Sequence, residues 1–347
     1  MIRTDDYPFE KITEPLIKWY RENRRDLPFR VNPTPYRVWV SEIMLQQTRV
    51  EAVKDYYLRF MNALPTVEAL AACDPDELMK LWEGLGYYSR ARNLQKAAKT
   101  VVEEYGGNFP SDEKALLSLA GIGDYTAGAI RSIAFGLPSP AVDGNVLRVI
   151  SRLTANPTDI SDPKYREYLK EKLLTAYPEE GEPCSAFTQA LMELGALVCT
   201  PRSPDHENCP LKGLCRAYAR GEAEKYPVMP EKKAKKEQTV IVCLIRTPDG
   251  RVSIRKRKNG VLRGMYEFPS EIKKSRRTLE NILNEWGVSA YTVKKQAEFT
   301  HIFTHIVWKM HCYLIEAETS PFERVSYREL VDKVSLPTAF RQCVKLL

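Results

Sequence analysis

Four soft-ligand side chains, Cys199, His206, Cys209 and Cys215, fall in one proline-containing loop, with six, two and five residues between them. At such spacings three thiolates and an imidazole can converge on one point. Three readings follow: an iron–sulfur cluster whose fourth iron is completed by His206, a Cys3His set around tetrahedral Zn²⁺, or buried free cysteines that hold nothing. Glu42, within Tyr36-Arg-Val-Trp-Val-Ser-Glu42-Ile-Met-Leu-Gln-Gln47-Thr48, has apolar neighbours on a helical spacing. Burying it ionised is costly, so its pKa is expected to rise and leave an acid that gives up a proton near neutrality; the plain alternative is a solvated surface glutamate. Leu119-Ala-Gly121-Ile-Gly123-Asp-Tyr125 places two glycines between apolar helical stretches. That turn either exposes backbone N–H groups to a phosphate or simply joins two helices. His301, His305 and His311 share strand parity, as metal ligands or as surface histidines.

These groups need elements to position them. From about Phe9 to Ala223 apolar residues recur every three or four positions, punctuated by Leu85-Gly86, Gly106-Gly107, Gly136-Leu-Pro138 and Ala155-Asn-Pro157, which predicts many short helices. The prolines and clustered lysines of Tyr226 to Glu237 predict an extended, solvated linker. Beyond it the period changes. Val240–Ile245 and Val252–Lys256 flank Pro248-Asp-Gly250 as a hairpin, Leu279–Trp286 suits a helix, and His301–Tyr313 suits a strand. The expected architecture is mainly α, with a helical domain over 1–225 that includes the Cys/His loop 199–215, a linker over 226–238, and an α+β domain over 239–347.

The Cys/His spacing resembles the [4Fe–4S] loop of the helix-hairpin-helix DNA glycosylases, with His206 standing where that family has its second cysteine. Leu119 to Ile130 looks like the helix-hairpin-helix itself, and Asp143, in Val142-Asp143-Gly-Asn145-Val146, sits where the superfamily keeps its essential aspartate. Leu27-Pro28-Phe29-Arg30, Tyr36 to Thr48, and Trp82-Glu-Gly-Leu-Gly-Tyr87-Tyr88-Ser-Arg-Ala-Arg92 resemble the adenine DNA glycosylases, the MutY family. That resemblance implies a two-lobed fold in which Glu42 protonates adenine N7 and Asp143 stabilises an oxocarbenium-like sugar, oriented by Tyr125 and Asn145. Strand-cutting relatives carry a Schiff-base lysine where Tyr125 stands, so a monofunctional enzyme is implied. Gln47 and Tyr87 become wedge candidates for the emptied base stack, and Arg30 and Gln189 candidates around the extruded adenine. Gly264-Met-Tyr-Glu-Phe-Pro269 resembles the start of a Nudix, MutT-like domain, but Leu279-Glu-Asn-Ile-Leu-Asn-Glu lacks the Arg-Glu-x-x-Glu-Glu metal motif, implying binding without hydrolysis. Phe303-Thr304-His305 matches the family's Phe-Ser-His loop that reads 8-oxoguanine, with threonine for serine.

Composition sets the frame. The 347 residues suggest two domains, and 44% hydrophobic with 28% charged residues suits a water-soluble globular protein. A net charge of +7 permits a polyanionic partner without requiring one. No apolar run reaches the roughly 18 residues of a membrane span, and the start lacks a signal peptide's apolar region, so an intracellular protein of the bacterial-type cytoplasm and nucleoid is expected. Eight cysteines there read as thiols or metal ligands before disulfides. The expected function is excision of adenine opposite 8-oxoguanine or guanine in double-stranded DNA by a monomer with a [4Fe–4S] cluster, Zn²⁺ being the alternative metal. The rivals are another mismatch glycosylase of the superfamily and a non-catalytic lesion-binding protein.

Overall fold

In the computed structural model, which describes residues 6–231, 234–273 and 277–347, the helices of the first two-thirds are mostly short, and six of them start on a capping side chain. Those up to the cysteine loop are α1 (Thr13–Asn23), α2 (Pro35–Leu45), α3 (Val50–Ala63), α4 (Val67–Ala72), α5 (Pro75–Leu81), α6 (Ser89–Tyr105), α7 (Glu113–Ser118), α8 (Asp124–Ala129), α9 (Gly144–Thr154), α10 (Pro163–Leu174) and α11 (Glu182–Leu197). Short α12 (Arg216–Ala219) follows the loop. Side chains of Thr34, Thr66, Asp74, Asp112, Asp143 and Asp162 each accept a first-turn N–H, satisfying donors that a helix start leaves orphaned. Among the described residues no helix is long and apolar enough to cross a membrane.

The chain divides into two units: residues up to Cys73 with Arg92–Glu231, and Asp74–Ala91 with everything beyond Glu231. The division after Glu231 falls within the linker expected over 226–238, while the helical segment Asp74–Ala91, counted with the first domain, clusters with the second. In the first unit one core gathers the apolar faces of α1, α9, α10 and α11. A second layer is built on α2, which is buried from Val38 through Met44.

The second unit holds β1 (Lys236–Arg246), β2 (Val252–Lys256), β3 (Tyr266–Glu267), β4 (Ser270–Ile272), α13 (Leu279–Glu285), β5 (Tyr291–Ile302), β6 (Ile306–Ala317), β7 (Glu323–Val325), α14 (Tyr327–Asp332) and α15 (Thr338–Arg341). The sheet order is β3-β2-β1-β6-β5, with β4 on β1 and β7 on β2, and β1 runs parallel to β6. Alternate residues of β1 feed opposite cores: Val240, Val242 and Leu244 on one face, Ile241, Cys243 and Ile245 on the other. The hairpin around Gly250 forms as expected, closed by Thr247 and Arg251.

Two expectations change. The linker is shorter than 226–238: Tyr226 is buried, the Val228 carbonyl accepts from Ile160 N, and Lys236 already pairs in β1. Its Lys232 and Lys233 lie outside the described residues. The strand expected over His301–Tyr313 is broken by a turn at 303–305 that joins β5 to β6, closed by Phe303 N to the Ile306 carbonyl at 2.8 Å. No Gly, Pro or Asn marks this turn, so nothing in the local pattern announced it. The three histidines consequently do not share one strand face: His301 ends β5 against Phe303, His305 sits in the turn, and His311 on β6 pairs with Glu298 at 3.0 Å.

Candidate active site

Glu42 projects from a helix whose surroundings are almost wholly apolar, and only 7% of it is exposed. Burial is the main force on its carboxyl; a hydrogen bond from the Tyr125 hydroxyl opposes it, the Asp143 charge adds to it and Arg30 opposes it, leaving a pKa pushed up to about 7. Tyr125, second residue of α8, has its own pKa raised well above the ordinary 10, first by burial and then by the two carboxyls, so it stays protonated and donates to Glu42. Asp143 caps α9, accepting from Val146 N at 2.7 Å and from Asn145 Nδ2 at 3.0 Å. Burial raises its pKa despite these bonds.

Glu42, Tyr125, Asp143 and Asn145 share one cavity of about 600 Å³ with Arg30, Gln47 and Gln189. Seven side chains singled out in five separate stretches of sequence thus meet in one place. Gln47 stands exposed at the end of α2 with a positive φ of 57°, and Gln189 donates to Ser185 Oγ at 3.1 Å. A cavity holding a protonatable acid, a second carboxyl and flanking amides suits proton donation to a leaving group with charge stabilisation beside it.

Sequence reading missed the frame of this cavity. Glu193 of α11, 1% exposed, accepts from Arg25 (Nε 2.9 Å, Nη2 2.7 Å) and Arg30 (Nη1 3.1 Å, Nη2 2.7 Å). Burial opposes its ionisation, but these bonds hold its pKa down at about 2. Arg148 bonds Asn145 Oδ1 at 2.9 Å, the Gly195 carbonyl at 2.8 Å and the Cys199 carbonyl at 2.8 Å. Gly195 is needed for that approach, because a Cβ there would lie 2.6 Å from Asn145 Cβ. The available signal was the one that marked Glu42: a charged residue inside an apolar helical run, here Ala190-Leu-Met-Glu193-Leu.

The cysteine loop follows α11. Cys199, His206, Cys209 and Cys215 line one small cavity of about 20 Å³, although among the described residues no three His, Cys or carboxylate side chains stand close enough to hold a single ion. By its chemistry the donor set fits an iron–sulfur group: three cysteines and a histidine line this one space, and Arg152 donates to Cys199 Sγ at 3.4 Å and the Thr200 carbonyl at 2.6 Å. Gly121 and Gly123 lie outside the cavity, exposed on the turn between α7 and α8; Gly121 has a φ of 79° and no room for a Cβ against Asn93.

The remaining expected residues belong to the second unit. Tyr87 is 45% exposed with a φ of 47°, and its hydroxyl lies 2.6 Å from Thr304 Oγ1. Phe303 packs edge-on against Trp308 at 4.8 Å, while Thr304 and His305 stand exposed.

Residues 40–174 match the HhH-GPD superfamily of base excision DNA repair proteins, residues 199–215 the iron-sulfur binding domain of endonuclease III, and residues 241–346 the NUDIX domain. The chain therefore carries an iron–sulfur binding loop. The adenine DNA glycosylase of Rattus norvegicus is 34% identical over 88% of this chain and 70% of its own length. Among solved structures, a thermostable thymine-DNA glycosylase matches at 31% identity with a TM-score of 0.55, covering 61% of this chain and 97% of that one. Endonuclease III in a non-covalent DNA complex matches at 26% identity with a TM-score of 0.53, covering 64% and 99%.

Proposed function

The chain belongs to the adenine DNA glycosylase family, a DNA N-glycosylase of base excision repair, and from that premise we propose that it excises adenine mispaired with 8-oxoguanine or guanine and leaves the strand uncut. The observation that carries the chemistry is the buried Glu42 with a pKa near 7, beside Tyr125 and in one cavity with Asp143. Adenine departs poorly as an anion. Glu42 gives its proton to adenine N7 as the glycosidic bond breaks, and Asp143, ionised, faces the cationic sugar. Tyr125 holds the Glu42 carboxyl through its donated bond, and Asn145 holds that of Asp143. Tyr125 offers no amine, so no Schiff base forms; a water molecule adds to the sugar cation, releasing a proton, and the product is an abasic site.

Recognition precedes this step. The adenine must leave the duplex at a cost of a few kcal/mol, and Gln47 and Tyr87 are the side chains assigned to the vacated stack. Arg30 and Gln189 line the cavity around the extruded base. Gly121 and Gly123 present backbone N–H groups to phosphate, and Phe303, Thr304 and His305 read the base opposite. The cluster is assigned as [4Fe–4S], held by Cys199, Cys209 and Cys215 with His206 as fourth ligand; when bound it orders the loop and supplies no proton or nucleophile. The protein acts as a monomer.

Single-turnover base release from A:8-oxoguanine, A:G and T:G duplexes tests the assignment: release of adenine from the first two and no thymine release supports it. Preferential thymine release would make the chain another mismatch glycosylase, and absence of any release a lesion binder. Borohydride trapping of a covalent adduct would contradict the monofunctional reading. Iron and zinc analysis of anaerobically purified protein decides the metal.

A further inference from the structure

The turn that carries Tyr87 is anchored by a side chain with no part in the chemistry. Glu83, just past α5, has its side chain only 7% exposed. Its carboxylate accepts Leu336 N at 2.8 Å and pairs with Lys80 at 2.9 Å and Arg341 at 2.5 Å. Lys80 in turn donates to the carbonyls of Val331 at 2.7 Å and Val334 at 3.2 Å, and Ser335 Oγ donates to the Met79 carbonyl at 3.0 Å. The end of α5 is thereby fastened to the stretch that runs from α14 into α15.

Three residues separate Glu83 from Tyr87, and they have little slack. Trp82 Nε1 donates to the Gly86 carbonyl at 3.2 Å, and Arg90 Nη2 donates to the carbonyls of Leu85 at 3.1 Å and Gly86 at 3.2 Å. The Arg90 guanidinium also lies over the rings of Trp82 and Tyr87, at 5.4 and 5.5 Å from their centroids. Gly84, Gly86 and Tyr87 all have positive φ, a conformation that tyrosine adopts only where its surroundings hold it. At the far end of this turn the Tyr87 hydroxyl meets Thr304 Oγ1.

We propose that Glu83 is a positioning residue for lesion discrimination: it fixes the Trp82–Tyr88 turn on the stretch at Leu336 and Arg341, so that Tyr87 and Thr304 form one hydroxyl pair before DNA arrives. The inference rests on the reading that Thr304 meets the base opposite the target adenine while Tyr87 enters the vacated stack beside it. Loss of the carboxylate leaves Leu336 N without its acceptor and Lys80 and Arg341 without their anionic partner, and the turn then loses its fixed relation to Thr304. Glu83 does not line the adenine cavity, so bond breaking itself is untouched.

The test is single-turnover adenine release by full-length, metal-replete Glu83→Ala, Glu83→Gln and Arg341→Ala proteins on A:8-oxoguanine and A:G duplexes. Glu83→Ala is expected to lower the 8-oxoguanine preference about tenfold while the A:G rate stays within about twofold of wild type. Glu83→Gln keeps an oxygen for Leu336 N and is expected to retain part of the preference, as is Arg341→Ala. Unchanged preference in folded Glu83→Ala overturns the proposal; if that variant does not fold, unchanged preference in both others overturns it. A wild-type protein with no preference for 8-oxoguanine would instead overturn the reading of Tyr87 and Thr304, and the inference with it.

Discussion

The cavity around Glu42 and the 303–305 turn are built in opposite ways. In the first, carboxyls are taken out of water, and Glu42 is pushed up to about 7 while Glu193, given two arginines, is held at about 2. In the second, Thr304 and His305 stand exposed on a turn whose phenylalanine packs below them. Proton donation at neutral pH requires burial, because water would return a carboxyl to its ordinary value. The base reading proposed for this turn requires exposed donors and acceptors on a firm support. One region is tuned by environment, the other by position.

The sharpest way to break this contrast is Glu42→Gln, which keeps the shape and removes the proton. Adenine release is expected to fall by about a thousandfold with mismatch binding retained; near wild-type release in single-turnover assays would remove Glu42 from its role. The same variant tests what burial costs. The folded-state pKa of Glu42 is raised from an ordinary 4.5 to about 7, so the folded protein holds this proton more tightly than the unfolded chain does. Its stability contribution is full below about pH 4.5 and is lost as pH rises through 7. Glu42→Gln should therefore be more stable than wild type at pH 8, by up to about 3 kcal/mol, and nearly equal at pH 4, as read by denaturant unfolding at the two pH values.

Gly195→Ala probes the frame. A Cβ placed 2.6 Å from Asn145 must push the start of α9 away, which is expected to cost about 1–3 kcal/mol and slow excision together. A variant of wild-type stability and rate would show that α9 and α11 have room to spare.

Tyr125→Phe sharpens the electrostatic account. The lost bond favoured the charged carboxylate, so Glu42 should titrate higher and the descending limb of the pH–rate profile, near 7 in wild type, should move to higher pH. A limb that stays in place or moves down contradicts the cause assigned. Thr304→Ser is the mildest change. It keeps the hydroxyl and removes a methyl, so the ratio of A:8-oxoguanine to A:G rates should change by less than about threefold, measured on matched duplexes.

Much of this was legible in the residues. Helical periodicity broken by glycine and proline marked the first region, and alternation around Pro248-Asp-Gly250 marked the second, because both signals are local. The apolar flanks of Glu42 foretold its raised pKa, since those neighbours bury it in its own helix. What the chain did not announce depends on distant partners. The turn at 303–305 lacks a turn residue and exists because β5 folds back on β6. Asp74–Ala91 reads as more of the helical region, yet Glu83, Met79 and Lys80 find their partners some 250 positions later, a pairing no local pattern encodes. No local pattern pairs Arg25 and Arg30 with Glu193, which α11 brings between them. Sequence determined the elements and the chemical capacity of single side chains; tertiary structure alone decided which charges met, because a buried group's ionisation is set by neighbours that only packing supplies.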